Sequence, residues 1–271
     1  MATDSQFGLP DPIAQLAATN FRWGSCQAIL YDPTRTDIFP QPFLYSLYER
    51  TRLSGQRHPV PLNLTQRLGL GSLPILFCGM ANLGPDAICS YLSQRAVCVV
   101  GEWQPETTIA YVDETSDSDL PSSPVIKYAP GPGPERFHPL GYCFPSTVPA
   151  VSPLSLSGQP SNSLFAGYTF FSDCWKTPQQ TVLMYLGLAW LFHTFSLVAI
   201  HGSRYQTNHL TARWTRKFGF RDCGILPHCM TAENDPTGPL VPGVFSALLR
   251  EDFEARLRAI LPPIDLDQSI L

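Results

Sequence analysis

The chain has no excess of positive charge: 18 Lys and Arg stand against 22 Asp and Glu, a net charge of −4 at pH 7. That leaves no global pull toward nucleic acid or an anionic membrane. A zinc pattern is missing too. Cys223, His228 and Cys229 come nearest, but their spacing fits no common ligand set and there is no second cysteine pair, so no metal is expected. The eight cysteines lie mostly inside apolar runs and read as reduced core thiols. No internal repeat is visible. No secretory leader is expected, because Met1-Ala2-Thr3-Asp4-Ser5 is polar and has no apolar core behind it. One uncharged run, Thr181 to Ile200, is long enough to cross a bilayer and is followed by Arg204, Arg213, Arg216 and Lys217. His193, several hydroxyls and the strand-like Val198 to Ile200 argue for a buried globular element instead. The expectation is a compact cytoplasmic protein, without a membrane span, whose 271 residues can bury a substantial core.

Proline is abundant, with 27 residues concentrated between Gln104 and Pro160. Proline removes a donor and keeps the preceding residue out of the helical region, so this is loop chemistry. Residues Glu114 to Glu135 are expected to form a long insertion, and Ser152 to Ser163 a second loop. Strands are expected on either side of the insertion, at Arg95 to Trp103 and His138 to Phe144. Earlier in the chain, Pro42 to Arg52 reads as a helix with Phe43, Leu44 and Leu47 on one side. Asp86 to Gln94 reads as a short helix and Leu73 to Cys78 as a strand. Residues 1–75 are expected to be an N-terminal extension carrying the first helix and strand, 76–262 the main domain, and 263–271 a tail.

The most ordered signal runs from Gly167 to Phe220. Leu164 to Phe171 is aromatic-rich and uncharged, as a buried strand should be. A polar break leads to Thr177-Pro178, where the threonine can cap a helix and proline at the first helical position loses nothing. Gln179 to Phe195 is apolar nearly all round and predicts a helix buried on several sides. Leu197 to Ile200 switches to strand chemistry. After Asn208, the residues Leu210, Trp214 and Phe218 recur every four positions and form an apolar stripe, with Arg213, Arg216 and Lys217 off it. Gly219 stands where a helix C-cap glycine would.

This ordered set resembles the GNAT N-acetyltransferases, especially the branch that modifies protein N-termini and ribosomal proteins. The residues that carry the resemblance are Gly167-Tyr168, Phe192, Asn208 and Lys217-Phe218-Gly219-Phe220, with Gly224 beyond them. The resemblance implies an α/β fold with a mixed, mostly antiparallel sheet flanked by helices. It makes Val244 to Leu249 the last strand, followed by a helix from Glu251 to Leu261, where periodicity alone allows one helix from Val244 onward. It also implies acetyl-CoA as cofactor and an amine of a peptide, protein or small molecule as acceptor. Homodimerisation is left open.

By the same resemblance, cofactor contacts fall on Phe170, Phe171, Trp175, Lys176, Thr177, Gln179 and Asn208. A β-bulge exposing an N–H to the thioester carbonyl would fall within Phe170 to Asp173. The tyrosine that often protonates the leaving thiolate is replaced by Thr215, with Tyr205 the nearest tyrosine. Asp173, Glu102 and His201 are candidate bases by location, although each also reads as an ordinary surface or strand-end residue. One departure stands out. Two glycines that would open the backbone to the cofactor pyrophosphate at a helix N-terminus are here Lys176 and Pro178, and proline offers no N–H. The alternative to an acetyltransferase is therefore a GNAT-like domain that has lost catalysis and serves as a binding or assembly module.

Overall fold

The computed structural model describes residues 11–47, 49, 50, 89, 90, 93, 96–110, 127–146, 162–171, 174–231 and 239–261. Its strands are β1 (Arg22–Trp23), β2 (Cys26–Leu30), β3 (Cys98–Ala110), β4 (Lys127–Ser146), β5 (Ser163–Phe170), β6 (Ala199–Tyr205), β7 (Arg221–Thr231) and β8 (Leu240–Leu249). They form one 8-stranded sheet in the order β1-β2-β3-β4-β5-β6-β8-β7. Every neighbouring pair is antiparallel except β5 with β6. The principal helices are α1 (Pro12–Ala18), α2 (Pro178–Thr194), α3 (His209–Lys217) and α4 (Arg250–Ile260).

Strand alternation sends side chains to two separate cores. On one face, Cys98, Val100, Cys143 and Phe170 pack under α2, with Phe218 from the end of α3 and Phe253 and Leu257 from α4. On the other face, Val97, Val99, Tyr142, Phe144 and Phe171 meet Phe39, Phe43 and Leu47. Helix α2 forms as its sequence suggests. Thr177 caps it, Pro178 opens it, and Leu183 to Phe192 are buried without a break. A helix with no polar face has no preferred side to show to water, so it becomes the centre of the core. Asp11 caps α1 through one carboxylate oxygen and holds Arg250 of α4 at 3.1 Å through the other.

Several elements fall where the sequence places them. Val244 to Leu249 lies in β8 and the following helix is α4, so no continuous helix starts at Val244. At the end of α3, Gly219 has φ +102° and donates to the Arg216 carbonyl, while Phe220 donates to that of Thr215. This paired closure needs a left-handed residue, which is why glycine sits there. Helical backbone covers 43–47, 49 and 50 of the expected Pro42 to Arg52 helix, with Phe43 and Leu47 buried. The strand expected at Leu73 to Cys78 lies outside the described residues, as does most of the helix expected at Asp86 to Gln94.

Three expectations are corrected. The strand expected at Leu197 begins at Ala199 and runs on to Tyr205, because its pairing with β8 continues past the apolar stretch to polar residues. The proline-rich stretch is less of a loop than its composition suggests. β3 extends to Ala110 and β4 starts at Lys127, so Lys127 to Pro130 and Glu135 pair with β3 across a break in register at 131–134, while 114–126 lie outside the described residues. Prolines are tolerated in that arm because β4 gains its second neighbour, β5, only from Gly141 onward. Apart from these, the N-terminal region carries α1, β1 and β2, with β2 paired along its length to β3. Finally, Leu210 does not join the apolar stripe of α3. It is 67% exposed, whereas Phe218, just beyond the helix, is fully buried, because Ala212 is the one buried residue within α3 and the stripe is sealed only past its end.

Candidate functional site

The one parallel pair in the sheet stays together only briefly. Ser163, Leu164 and Phe165 of β5 lie opposite Ala199, Ile200 and His201 of β6. Beyond these residues β5 pairs only with β4, and β6 only with β8. The two strands therefore separate toward their carboxyl ends and leave a notch whose edges carry backbone donors and acceptors with no ladder between them. Crevices at the carboxyl ends of strands are where open α/β sheets bind ligands. Each strand then leads into a helix N-terminus, β5 into α2 and β6 into α3, so the positive ends of two helix dipoles stand beside the notch.

The turn between β5 and α2 is densely bonded. The Trp175 indole donates to the Phe170 carbonyl at 2.9 Å, and Phe171 N–H donates to Leu140 O at 2.9 Å. Thr177 N–H and its hydroxyl both donate to Cys174 O. The same hydroxyl accepts from Gln180 N–H at 3.3 Å. Lys176 N–H donates to the Gln180 side-chain Oε1 at 3.0 Å. Of the N–H groups from Lys176 to Gln180, only that of Gln179 has no partner among the described residues. Lys176 also has φ +64°. A lysine holds the left-handed backbone that glycine adopts most readily, at the position where the resemblance has glycine. The free donors of the turn are largely spent on its own side chains.

The α3 side differs. Asn208, 7% exposed, caps α3 by accepting from Thr211 N–H at 3.0 Å through Oδ1, and its Nδ2 takes no part in that cap. Thr215 donates its hydroxyl to its own helix, to Thr211 O at 2.9 Å, so the hydrogen bond expected from it toward a thiolate is already in use. Tyr205 is buried at the last position of β6. By alternation it projects to the sheet face away from Arg204. Across the mouth of the notch, Trp214 of α3 meets Phe170 of β5 with ring centroids 5.4 Å apart. Arg204, 8% exposed, pairs with Asp222 at 2.9 Å. Arg216 of α3 reaches the same Asp222 oxygen at 2.8 Å. Burial disfavours the charged form of Asp222, but hydrogen bonds from Arg216 and Arg204 and their charges outweigh it and hold its pKa below the ordinary 3.8.

The candidate bases are scattered. Asp173 lies outside the described residues. Glu102 is on β3, two strands from β5, where it accepts from Ser25 at 2.7 Å. His201 sits at the closed end of the notch, its ring 5.4 Å from that of Phe165. Burial lowers its pKa from 6.5, which keeps the imidazole neutral near pH 7. The structure thus gathers Phe170, Phe171, Trp175, Lys176, Thr177 and Gln179 at one corner of the notch and Asn208 at the other. Sequence reasoning did not find Gln180, whose side chain folds back onto Lys176. It also gave no role to Tyr168, whose Oη is sealed from solvent without a hydrogen-bond partner among the described residues. Strand alternation was the available signal, since it puts Tyr168 on the same face as Phe170.

A search of solved structures finds GNAT acetyltransferases repeatedly. RimJ from Mycobacterium smegmatis, in complex with CoA-disulfide, is 16% identical, covering 79% of this chain and 83% of its own at TM-score 0.47. The ribosomal-protein-S5-alanine acetyltransferase from Vibrio fischeri is 12% identical, covering 86% and 97% at TM-score 0.47. A GNAT-family acetyltransferase from Bacillus anthracis is 10% identical, covering 85% and 98% at TM-score 0.46. No family model and no curated protein matches the chain. Likeness at TM-scores below 0.5 carries no argument. The strand order, the single splayed parallel pair and the helix that follows each of its strands are this chain's own. The fold is a mixed, mostly antiparallel sheet flanked by helices, as the sequence resemblance implies. The notch between β5 and β6 is the one place among the described residues where strand edges, two helix N-termini and a strand bearing a buried unpaired hydroxyl come together. No helix among those residues is long and apolar enough to cross a membrane.

Proposed function

We propose that this chain is an N-acetyltransferase that moves an acetyl group from acetyl-CoA to an amine of a peptide, protein or small molecule in the cytoplasm. The observation that carries the reading is the loss of pairing between β5 and β6 beyond Phe165 and His201. A slim, amide-bearing arm such as pantetheine can bond to strand edges of this kind as an added strand would. In this reading the Asn208 carboxamide and the Gln179 N–H contact the rest of the cofactor. In the transfer, the neutral amine attacks the acyl carbon, the carbon–sulfur bond breaks, and the proton lost by the amine passes to sulfur. The protein must orient the amine and polarise the carbonyl. His201, uncharged near pH 7, is a candidate acceptor for the first proton of an incoming ammonium.

One observation favours a second reading, a binding or assembly module with the same fold. The turn at Lys176 to Gln180 is closed by its own side chains, and Pro178 has no donor. A pyrophosphate would have to displace the Gln180 side chain from Lys176 to gain that N–H.

Thermal denaturation with acetyl-CoA separates the readings, since a ligand bound only to the native state stabilises it by about 2.7 kcal/mol at 100 times its Kd. An enzyme should show a rising Tm with acetyl-CoA and should release free thiol when amines are added. Binding without turnover on peptide and small-molecule amines would favour the module. No shift at millimolar acetyl-CoA would remove the enzyme.

A further inference from the structure

We infer that the Tyr168 hydroxyl is a hydrogen-bond donor held in reserve for the acyl-thioester end of a cofactor arm entering the notch; this rests on the acetyl-CoA reading above. Tyr168 lies on the part of β5 that has lost β6 as a neighbour and pairs only with β4, opposite Cys143. Alternation turns it toward the α2 face, where its ring packs against the main core. The ring remains partly open, yet the Oη itself is shut off from solvent and has no partner among the described residues. Buried tyrosine hydroxyls normally find a partner, and one left without it costs stability. Such a group persists where a ligand completes the bond.

Three other donors beside the notch are already spent. Phe171 N–H serves Leu140 O, Lys176 N–H serves Gln180, and the Thr215 hydroxyl serves its own helix. Cys143, the nearest polarisable group, directs its thiol to the Gly187 carbonyl at 3.8 Å. The surroundings of Tyr168 are otherwise apolar, with Ala166 and Phe170 on its own strand face and Trp214 beyond them. An apolar surround with one unspent hydroxyl suits a thin arm carrying one carbonyl oxygen. Burial, and to a lesser degree Cys143, pushes the phenol well above its ordinary value of 10. The hydroxyl therefore keeps its proton throughout the neutral range. A thiolate whose own pKa is about 8.5 does not remove that proton, so the role is to hold an oxygen or sulfur by a hydrogen bond, with no covalent step at Tyr168.

The test is titration calorimetry of the wild type and Tyr168→Phe with two ligands, acetyl-CoA and adenosine 3′,5′-bisphosphate, which lacks the arm. The Tm of each ligand-free protein is measured alongside. Tyr168→Phe removes only the hydroxyl, so its ligand-free Tm should equal or exceed that of the wild type. Its affinity for acetyl-CoA should fall about tenfold, the worth of one hydrogen bond, while the bisphosphate binds unchanged. Unchanged acetyl-CoA affinity would overturn the inference. So would equal weakening for both ligands, or a lower ligand-free Tm, which would mean that the hydroxyl already has a partner in the free fold. A wild type that binds neither ligand removes the acetyl-CoA reading and this inference together, and is recognised without the variant.

Discussion

Helices α2 and α3 flank the same notch but are held by different means. α2 buries ten residues in succession, Leu183 to Phe192, against both the sheet and its neighbouring helices. In α3 only Ala212 is buried. That helix is attached by Trp214, by Phe218 just beyond its end, and by the bond from Arg216 to Asp222. One wall of the notch is thus continuous with the core and moves only if the core does. The other is fastened at a few points, and such elements open at lower free energy than the domain as a whole. A ligand entering the notch would be accommodated by α3, with α2 as the fixed reference.

The contrast is broken or sharpened first by truncation. Leu186→Ala in α2 should cost about 2–5 kcal/mol, as for a fully buried leucine, whereas Trp214→Ala in α3 should cost about 2 kcal/mol. Denaturant titration measures both, and equal losses would remove the distinction between the walls. Next comes the anchor of α3. Asp222→Asn leaves the buried Arg204 without its counter-charge and should cost about 1–3 kcal/mol at neutral pH. The Asp222 pKa is depressed in the folded state, so its contribution is present above the ordinary 3.8 and is lost as pH falls through the lowered value. Stability curves of wild type and variant should run in parallel from pH 7 to about 4 and converge in stronger acid. A gap that stays constant into that range would show that Asp222 acts through packing and not through charge.

The smallest effect belongs to the α2 turn. Lys176→Gly relieves a left-handed lysine but frees the unfolded chain, so the two terms should cancel to within about 1 kcal/mol. A larger loss would mean that the lysine side chain itself holds the turn.

The local parts of this fold could be read from the sequence because local chemistry specifies them. Thr177 before Pro178, Asn208 before a short helix, and Phe218-Gly219-Phe220 each satisfy backbone groups within a few residues of themselves. The notch could not be read that way. It exists because β6 pairs with β8 beyond His201 while β5 pairs with β4, and neither partner is written in the local pattern of Gly167 to Tyr205. The length of β4 was hidden for the opposite reason: prolines marked residues 130–134 as loop, yet the ladder breaks in register there and resumes from Pro130 back to Lys127. Gln180 was hidden because a glutamine in a first helical turn usually faces water, and only the left-handed turn of Lys176 brings an N–H within its reach.

Gly167 carries a further consequence. A β-carbon placed there would lie 2.5 Å from the Phe144 ring, so the bare backbone of β5 is the seat on which that ring rests. Phe144 stacks with Tyr142, Tyr142 meets Phe171, and the Arg50 guanidinium lies over Phe171 at 4.2 Å. One side of this relay is the strand that borders the notch; the other is the helical segment around residue 50. Adding a single methyl group at 167 would push on a row of rings that crosses the sheet face, and the displacement would be felt at Arg50, a residue with no part in the notch itself.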